Sequence, residues 1–311
     1  MENINYSIVV PIFNEIESIP ELHSEVVKVL GDAKESFEII FVDDGSTDGS
    51  DTKIDTLVEE DKHVRAIHFA CNLGKSEAYA AGFEAARGQY IVTLDGDLQD
   101  DPREIPALLT RLNQGFDIVV GWKQGRLDNE PLKAIPSRFF NHLAKVLFGL
   151  KLHDSNCGFR IMKRQVAHKL DLYGDLYRFI PQLAFFKGFK VAEQAVIHRK
   201  RRFGRSKYGA KRFWTGMLDM LTVRFLTRYV HRPLHFFGTV GLVPAIIGLL
   251  LELYVLIAKI AGQTFQQHVA AIIIGALLLI VGFQCIITGL IGEMLSAQRR
   301  QQVAVRKKLN D

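Results

Sequence analysis

The sequence predicts an α/β fold in which a mostly parallel β-sheet with flanking helices is followed by interface and transmembrane helices. Strand-like and helix-like segments alternate through roughly the first 120 residues. The strand-like segments are apolar along their whole length, which is typical of strands covered on both faces. Residues 236–258 and 269–292 are nearly continuous apolar runs, and each reaches the roughly 20 residues needed to span a bilayer.

Five strands are predicted, at residues 7–11, 37–42, 64–70, 90–94 and 117–121. Helices are predicted up to about residue 30, after a cap by Ser46 or Asp48, and at 76–86, 102–114 and 136–148. Strands that alternate with helices in this way require right-handed crossovers. The glycine patterns of dinucleotide sites and P-loops are missing from the sequence, so neither kind of site is predicted.

The chain of 311 residues has a formal net charge of +5, and the basic excess lies in residues 199–212 and 299–308. Such runs beside apolar helices indicate phosphates and a membrane surface as partners, and no nucleic acid. Cys71, Cys157 and Cys285 have no metal-ligand spacing and indicate no disulfide framework. The first residues lack the pattern of a secretory signal, so no cleaved leader is expected.

Two carboxylates follow the strand predicted at 90–94. Gly96 separates Asp95 from Asp97 and permits a turn that could bring both acids to one point. Hard oxygen ligands at the carboxyl end of a strand suit Mg²⁺ or Mn²⁺ carrying a diphosphate. The alternative is a solvated acidic turn that caps the helix beginning at Pro102.

Two further strands end in similar polar turns, with Asn14 and Glu15 after the first and Asp43 and Asp44 after the second. Open α/β sheets bind ligands beyond the carboxyl ends of their strands. Acids collected at one edge cost free energy unless a cation or a hydrogen-bonding ligand compensates them. Each turn taken alone could need these residues only for its geometry, but three in succession favour a site.

These segments carry a resemblance to a known family. Residues 10–15, 42–48, 72–75 and 95–99 resemble, in order and spacing, the motifs of family 2 glycosyltransferases of the GT-A fold. The likeness covers roughly the first 210 residues. Residues 154–160 and 201–208 are similar to the polyprenyl-phosphate branch, which includes dolichol-phosphate mannose synthases and bacterial undecaprenyl-phosphate glycosyltransferases.

The resemblance implies an inverting transfer of one sugar from a nucleotide-sugar donor to a polyprenyl phosphate acceptor. It implies a nucleotide pocket lined by Pro11, Phe13, Glu15, Val42 and Asp44. In that pocket the acid at position 44 would contact base or ribose, and the aromatic ring at position 13 would pack near the base.

The resemblance also implies a metal site and a closing loop. Asp95, Asp97 and Gln99 would hold Mg²⁺ or Mn²⁺ and the donor diphosphate. A bendable loop that contains Gly204 would close over the diphosphate, and its binding residues would be Arg201, Ser206 and Lys207. The alternative is that this loop is a solvated basic segment beside a membrane.

The acceptor side departs from the branch, which usually places arginines after the fifth strand. Lysine stands at the matching positions and binds phosphate as a point charge, without the bidentate geometry of arginine. The candidate acceptor-phosphate residues are Lys123, Lys133, Ser137 and Arg138, with Arg126 nearby. The alternative is that Lys133 and Arg138 form the polar start of the helix predicted at 136–148.

Asp154 precedes Phe159 in a turn that contains cysteine and glycine. The resemblance places Asp154 near the acceptor, where it would orient the phosphate or the metal. A phosphomonoester is already largely ionised at pH 7, so it needs little help from a general base. The alternative is an Asx turn that fixes Arg160.

The expected organisation has four parts: a glycosyltransferase domain at 1–210, an amphipathic juxtamembrane helix at 211–232, two transmembrane helices within 233–294 and a basic tail at 295–311. The alternative for the juxtamembrane helix is packing against the soluble domain. Glu252 and Gln284 are costly in lipid and should face a partner helix. Polar residues in two short spans also make a homo-oligomer, a dimer or a tetramer, plausible.

Basic residues flank the outer ends of both spans, and the link at 259–268 is nearly uncharged. The positive-inside rule therefore predicts a multi-pass protein of the cytoplasmic membrane, with the catalytic domain and both termini in the cytosol.

UDP-glucose is the first expected donor, ahead of GDP-mannose, UDP-N-acetylglucosamine and aminopentose donors. A processive polysaccharide synthase is the nearest enzymatic alternative, but the Q-x-x-R-W element typical of such synthases is missing from the sequence. An alternative of another class is a non-catalytic membrane scaffold or lipid flippase with a degenerate transferase domain. The intact set of Asp95, Asp97 and Gln99 argues against that alternative.

Overall fold

The computed structural model describes residues 4–123, 143–154, 156–197, 199, 211–230 and 232–310. The chain divides into two compact units, Met1–Val223 and Arg224–Asp311. The first unit contains a β-sheet with its helices, and the second contains two long apolar helices.

A seven-stranded sheet forms the centre of the first unit. Its strands are β1 (Tyr6–Ile12), β2 (Phe37–Asp43), β3 (Val64–His68), β4 (Tyr90–Thr93), β5 (Ile118–Lys123), β6 (Arg160–Lys163) and β7 (Val191–Val196). Their order across the sheet is β3-β2-β1-β4-β6-β5-β7. The pairings are parallel except those of β6, which runs antiparallel to both β4 and β5. The mostly parallel sheet predicted from the sequence is confirmed.

Helices cover both faces of this sheet and connect its strands. They are α1 (Ile19–Asp32), α2 (Ser50–Glu60), α3 (Lys75–Ala85), α4 (Ile105–Leu112), α5 (Arg164–Ala167) and α6 (Ile180–Phe186). Residues 143–148 are also helical, and short 3₁₀ turns lie at Pro102–Glu104 and Leu176–Phe179. Every residue of β2 is buried, which explains why its sequence is apolar without alternation.

Some element boundaries differ from the sequence prediction. The helix predicted at 102–114 starts as a 3₁₀ turn because the Asp101 side chain accepts a hydrogen bond from Arg103 N. Neither Ser46 nor Asp48 occupies the cap position of α2, which is Gly49 with a φ of +92°. Asp48 nevertheless accepts the first N–H of this helix, from Ser50 N to Asp48 Oδ1 over 3.0 Å. The strands β6 and β7 were not predicted, since one has only four residues and the other has polar residues at its centre.

Helix α7 (Lys211–Arg228) begins directly after a stretch that lies outside the described residues. Met220 and Val223 on this helix are fully buried in the core of the first unit. Leu218 and Leu221 are exposed, so one face of the helix packs in the first unit and another leaves apolar side chains exposed. The predicted domain boundary at residue 210 is itself outside the described residues.

The second unit consists mainly of α8 (Pro233–Ile260) and α9 (Val269–Asn310). By length and composition, two helical stretches, Pro233–Ile260 and Phe265–Gln298, could cross a membrane. The two helices approach closely where glycines face each other. A Cβ added to Gly241 would lie 2.6 Å from the carbonyl oxygen of Gly282, and one added to Gly248 would lie 2.6 Å from that of Gly275.

The two polar residues of these helices have different surroundings. Glu252 Oε1 is buried 2.6 Å from the position of a Cβ on Gly275, so the expectation that Glu252 faces the partner helix is confirmed. The same expectation is wrong for Gln284, which is exposed within the chain. Gln284 lies two residues beyond Gly282, or about 200° further around the helix, and therefore off the packed face.

The glycines of α8 allow a test of this close packing. Gly241→Ala should destabilise the helix pair by about 1–3 kcal/mol because its methyl group would overpack the contact with α9. Gly238→Ala should be neutral or slightly stabilising, because a Cβ there meets only Leu234 Cδ1, at 3.8 Å, and alanine favours helix. Both effects can be measured as the temperature at which the second unit of the detergent-solubilised protein becomes cleavable by trypsin. Equal stability of the two variants would contradict the glycine contact.

Candidate active site

The loops after β1, β2 and β4 meet at the carboxyl edge of the sheet. Asp44 N donates to the carbonyl oxygen of Ile12 over 2.8 Å, and Phe69 N donates to that of Asp43 over 2.9 Å. Leu94 N donates to the carbonyl oxygen of Val9 over 3.2 Å. The polar turns singled out in the sequence are therefore neighbours at one edge.

Hydrogen bonds also fix the loop after β1 against the loop after β2. Asn14, with a φ of +55°, donates its N–H to Ser46 Oγ over 2.9 Å and accepts from Thr47 N at 2.8 Å. Glu15 N donates to Ser50 Oγ over 3.1 Å. These bonds fix the backbone on both sides of the partly exposed residues expected in the nucleotide pocket, which are Pro11, Phe13 and Glu15.

Two residues expected in the nucleotide pocket are buried. The Asp44 carboxylate is 5% exposed and accepts hydrogen bonds from Leu73 N at 2.7 Å and from Gly74 N at 3.0 Å. It therefore fixes the turn that precedes α3. Val42 is fully buried, and its side chain packs toward Gly82 of α3. The structure thus corrects the expectation for Val42, which presents no surface to a nucleotide.

Asp95 and Asp97 lie directly after β4. Asp95 Oδ1 is 2.6 Å from Lys75 Nζ and accepts a longer hydrogen bond from the Tyr79 hydroxyl at 3.4 Å. Asp97 is 8% exposed, and its Oδ1 accepts from Gln99 N at 3.1 Å. The three residues predicted to bind metal are therefore brought together in one turn, and Asp95 already holds a cation there.

The antiparallel strand β6 and the residues just before it pack directly against Asp95. Thr93 Oγ1 donates to the carbonyl oxygen of Gly158 over 2.6 Å, and Thr93 pairs with Arg160 in the sheet. A Cβ added to Gly158 would lie 2.5 Å from Asp95 Oδ1 and 2.8 Å from Oδ2. Only glycine at this position leaves the carboxylate where it stands.

A second ion pair lies beside Asp95. Lys123 Nζ is 2.7 Å from Asp100 Oδ1, with both side chains buried, and Asp100 Oδ2 accepts from Asp95 N at 3.2 Å. Burial raises the pKa of the Asp100 carboxyl, Lys123 opposes this and Asp95 adds to it, so that the pKa lies above its ordinary value. Lys123, expected to bind the acceptor phosphate, thus lies at the site but is paired with Asp100.

Three cations act on the Asp95 carboxylate. Burial alone would raise its pKa, but Lys75, Lys123 and the guanidinium of the fully buried Arg160 outweigh that effect. The pKa of Asp95 consequently lies well below its ordinary value. A group with a lowered pKa in the folded state stabilises the fold above its ordinary pKa and loses this effect only as the pH falls toward the lowered value. Asp95 is therefore ionised throughout the physiological range.

Asp154 lies beside β7, in a turn that is fixed by hydrogen bonds. Its Oδ1 accepts from Asn156 N at 3.2 Å, which is the Asx turn considered in the sequence. Glu193 Oε1 on β7 accepts from Asp154 N at 3.1 Å and from His153 N at 2.6 Å. Burial raises the pKa of the neighbouring Cys157 thiol to about 12, so this thiol stays protonated.

Several predicted site residues lie outside the described residues. They are Arg126, Lys133, Ser137, Arg138, Arg201, Ser206 and Lys207. Arg199, at the start of the basic run, is described and forms ion pairs of 2.7 Å with both Glu25 and Asp101. Its N–H also donates to the carbonyl oxygen of Gln99 over 3.1 Å, so the basic run starts beside the predicted metal turn.

The donor set fits a magnesium or manganese ion in an open site. Among the residues that the structure describes, no group of three or more His, Cys, Asp and Glu side chains is arranged to enclose a metal. Mg²⁺ is usually held by one or two carboxylates together with substrate phosphates, which matches the two carboxyl side chains of Asp95 and Asp97 in one turn. The ammonium of Lys75 shows that Asp95 accepts a cation in this position.

Sequence reasoning missed four residues that shape the site. Lys75 and Gly158 were quoted only as parts of motifs, and no role was given to Asp100 or Glu193. The signal for Lys75 was its place next to a glycine at a helix start, where a side chain can turn toward the sheet edge. No local pattern could indicate Gly158, Asp100 or Glu193, because their contacts depend on the pairing of β4, β5, β6 and β7.

Sequence comparison identifies the family. The profile described as "Glycosyl transferase family 2" matches residues 7–171. The chain belongs to this family. It is a glycosyltransferase whose first unit has the GT-A fold, so the alternative of a non-catalytic scaffold or flippase is not supported.

Curated relatives match this glycosyltransferase over nearly its whole length. It is 37% identical over 309 residues to a dodecaprenyl-phosphate galacturonate synthase of Rhizobium johnstonii, a match that covers 95% of this chain and 89% of the relative. It is 34% identical over 291 residues to an undecaprenyl-phosphate 4-deoxy-4-formamido-L-arabinose transferase of Pseudomonas paraeruginosa, covering 93% and 84%.

Solved structures share the fold at lower identity. Glucosyl-3-phosphoglycerate synthase of Mycobacterium tuberculosis, in complex with Mn²⁺, uridine diphosphate and phosphoglyceric acid, aligns with a TM-score of 0.55 and 18% identity. This alignment covers 72% of the glycosyltransferase and 78% of the mycobacterial chain. At this identity the likeness concerns the fold alone.

Gly158 gives a test of the site geometry. Gly158→Ala should lower sugar transfer by about 100-fold, the scale of a 1 Å misplacement of a reacting group, because the new methyl group would displace the Asp95 carboxylate. Gly31→Ala is the matched control, since a Cβ at Gly31 meets nothing within 4 Å. Initial rates of transfer for both purified variants check this. Full activity of Gly158→Ala would show that the position of Asp95 is unimportant.

Proposed function

We propose that this glycosyltransferase moves one sugar from a nucleotide-diphosphate sugar to a polyprenyl phosphate, giving a polyprenyl-monophosphoryl sugar. The observation that carries the proposal is the joint presence, in one chain, of two neighbouring carboxyl side chains, Asp95 and Asp97, at the sheet edge and two apolar helices of bilayer length. Relatives named for dodecaprenyl-phosphate and undecaprenyl-phosphate products, aligned over both units, support it.

On the donor side, Pro11, Phe13, Glu15 and Asp44 would surround the nucleotide. Their loops are already joined by hydrogen bonds, so little ordering would be needed when the nucleotide binds. Arg201, Ser206 and Lys207 would close over the diphosphate. The contacts of Arg199 support that placement, because they hold this residue, two positions before Arg201, beside the predicted metal turn.

Asp95, Asp97 and Gln99 would hold a Mg²⁺ or Mn²⁺ ion. When bound, such an ion would neutralise charge on the departing nucleoside diphosphate. The protein itself contributes an ionised Asp95 carboxylate. It is fixed in place by its ion pair with Lys75 and by close packing against Gly158. The preorganised positive charge of Lys75, Lys123 and Arg160 would further favour the developing diphosphate.

In the reaction itself, a phosphate oxygen of the acceptor would attack the anomeric carbon from the face opposite the leaving group. The new bond joins that oxygen to carbon, and the electron pair of the broken bond departs with the nucleoside diphosphate, so the configuration inverts. An acceptor phosphomonoester is largely dianionic at pH 7, and no side chain has to remove a proton. Asp154 would therefore orient the acceptor, with its turn fixed by Glu193.

The acceptor phosphate would lie near Lys133, Ser137 and Arg138. Lys123 would help only if it left Asp100, because its ammonium is 6% exposed and already paired. We infer that UDP-glucose remains a reasonable first donor to test, together with GDP-mannose, UDP-N-acetylglucosamine and aminopentose donors. The sugars in the relatives' names, galacturonate and a formamido-arabinose, widen this set to acidic hexoses.

The two apolar helices would anchor the enzyme as a multi-pass protein of the cytoplasmic membrane, with the catalytic unit and both termini in the cytosol. The outward position of Gln284 supports a homo-oligomer, a dimer or a tetramer, because an amide exposed to lipid is costly without a hydrogen-bonding partner.

The carboxylates test the proposed transfer. Purified protein should convert one of these nucleotide-sugars and a short polyprenyl phosphate into a labelled lipid, and Asp95→Asn and Asp97→Asn should abolish this conversion. Each change keeps the size of the side chain and removes one charge, so membrane association should be retained, and thermal unfolding of each variant shows whether the fold is kept. Chromatography of extracted lipid measures the product. Wild-type turnover by both variants, or no labelled lipid with any of the donors, would exclude the proposal.

Impermeant thiol reagents test the topology. A cysteine at Gln266, in the link between α8 and α9, should be labelled from outside intact cells, whereas one at Gln301 should not. The unmodified protein, with its three native cysteines, gives the background labelling. External labelling at position 301 would contradict a cytosolic C-terminus.

A further inference from the structure

Lys75 is a charged residue at the sheet edge. Its sequence motif, residues 72–75, does not indicate what this side chain does in the reaction. Its Nζ lies 2.6 Å from Asp95 Oδ1. The rings of Tyr79 and Tyr177 flank the ammonium, with centroids 5.6 and 5.4 Å away. A cation thus already lies on the carboxylate proposed to bind the metal.

The turn before Lys75 is joined to the other end of the proposed donor site. The backbone N–H groups of Leu73 and Gly74 donate to the Asp44 carboxylate, and Lys75 is the next residue, at the start of α3. Lys75 therefore connects the acid proposed for the base or ribose with the acid proposed for the metal. A diphosphate that joins these two ends of a donor would pass within reach of the Lys75 ammonium.

A divalent metal and the ammonium cannot both remain on Asp95 Oδ1, because like charges at such a distance repel strongly. Lys75 is the cation able to leave. Its side chain is 31% exposed, and lysine is a point charge on a flexible four-carbon stem. Lys123 is 6% exposed and held by Asp100, and Arg160 is fully buried.

We propose that Lys75 occupies the cation position on Asp95 before the donor binds and moves onto the donor diphosphate when the metal takes that position. The inference rests on the proposed function. In the second position, the ammonium stabilises the charge that the nucleoside diphosphate gains as it departs. Lys75 then touches the reacting group, and its exchange keeps Asp95 compensated in both states.

Metal binding in the absence of donor gives the first test. Lys75→Met removes the competing ammonium while keeping the length of the side chain, so the affinity for Mn²⁺, measured by electron paramagnetic resonance, should rise by about tenfold. Lys163→Met is the matched control. Lys163 Nζ forms a similarly exposed pair with Asp117 at 2.8 Å, away from Asp95, and its loss should leave Mn²⁺ affinity unchanged.

Diphosphate binding gives the second test. At saturating Mn²⁺, Lys75→Met should bind UDP, or GDP if the donor screen selects it, about tenfold more weakly, and its turnover should fall. In the wild type, acetylation of Lys75, followed by mass spectrometry, should increase when Mn²⁺ is added and decrease again with the nucleotide.

These effects separate exchange from a merely structural role. A fixed structural lysine would make Lys75→Met lose affinity for Mn²⁺ and nucleotide together, which would overturn the inference. Unchanged Mn²⁺ affinity in Lys75→Met would also overturn the inference. The same holds if the acetylation of Lys75 does not change when Mn²⁺ is added. The binding tests need no lipid and are therefore independent of the proposed acceptor. If Mn²⁺ affinity rises and nucleotide affinity falls in Lys75→Met, but no lipid product forms, the exchange is supported and the proposed acceptor is excluded. Lipid product from the wild type, with unchanged binding by Lys75→Met, would refute the exchange alone.

Discussion

The compensation of charge around Asp95 is the constraint on which the sheet edge depends. Buried charges are tolerated only when they are paired. Here Lys75, Lys123 and Arg160 act on Asp95, and Lys123 also acts on Asp100. The cations come from three elements, α3, β5 and β6. Electrostatic attraction to Asp95 therefore draws the ends of these three elements together. The backbone hydrogen bonds of the sheet would not by themselves bring those ends into contact. Three cations gathered at this edge suit a site for a diphosphate.

The antiparallel strand β6 makes this arrangement possible. It enters the sheet between β4 and β5, and so it brings Gly158 and Arg160 to the back of Asp95 although they are more than sixty residues away along the chain. Arg160 is fully buried, and its Nη2 donates to the carbonyl oxygen of Tyr177 over 3.3 Å. Arg160 is also one of the cations that lower the pKa of Asp95, so the position of this strand affects the chemistry of the site.

The fold was largely predictable because continuous apolar segments are a strong signal for strands buried on both faces. Strands β1, β2 and β4 and both long apolar helices were recognised in this way. Strand β6 was not, since four residues that begin with Arg160 and end with Lys163 carry no such pattern. The adjacency of the carboxylates also followed from the sequence, because parallel strands end at one edge. Val42 shows where this reasoning fails: it lies within a recognised motif, yet its side chain is buried and packs toward Gly82.

The substitution of lysine for arginine on the acceptor side has a structural counterpart. An arginine carries five donors in a rigid fork and can bond a carboxylate while still offering donors to a phosphate. A lysine is a compact charge, and the ammonium of Lys123 is already close to Asp100 in a buried pair. Asp100 in turn accepts a hydrogen bond from the backbone of Asp95. Lysine at this position therefore directs its charge toward the turn that contains Asp95, and in the proposed function other residues would have to compensate more of the charge of the acceptor phosphate.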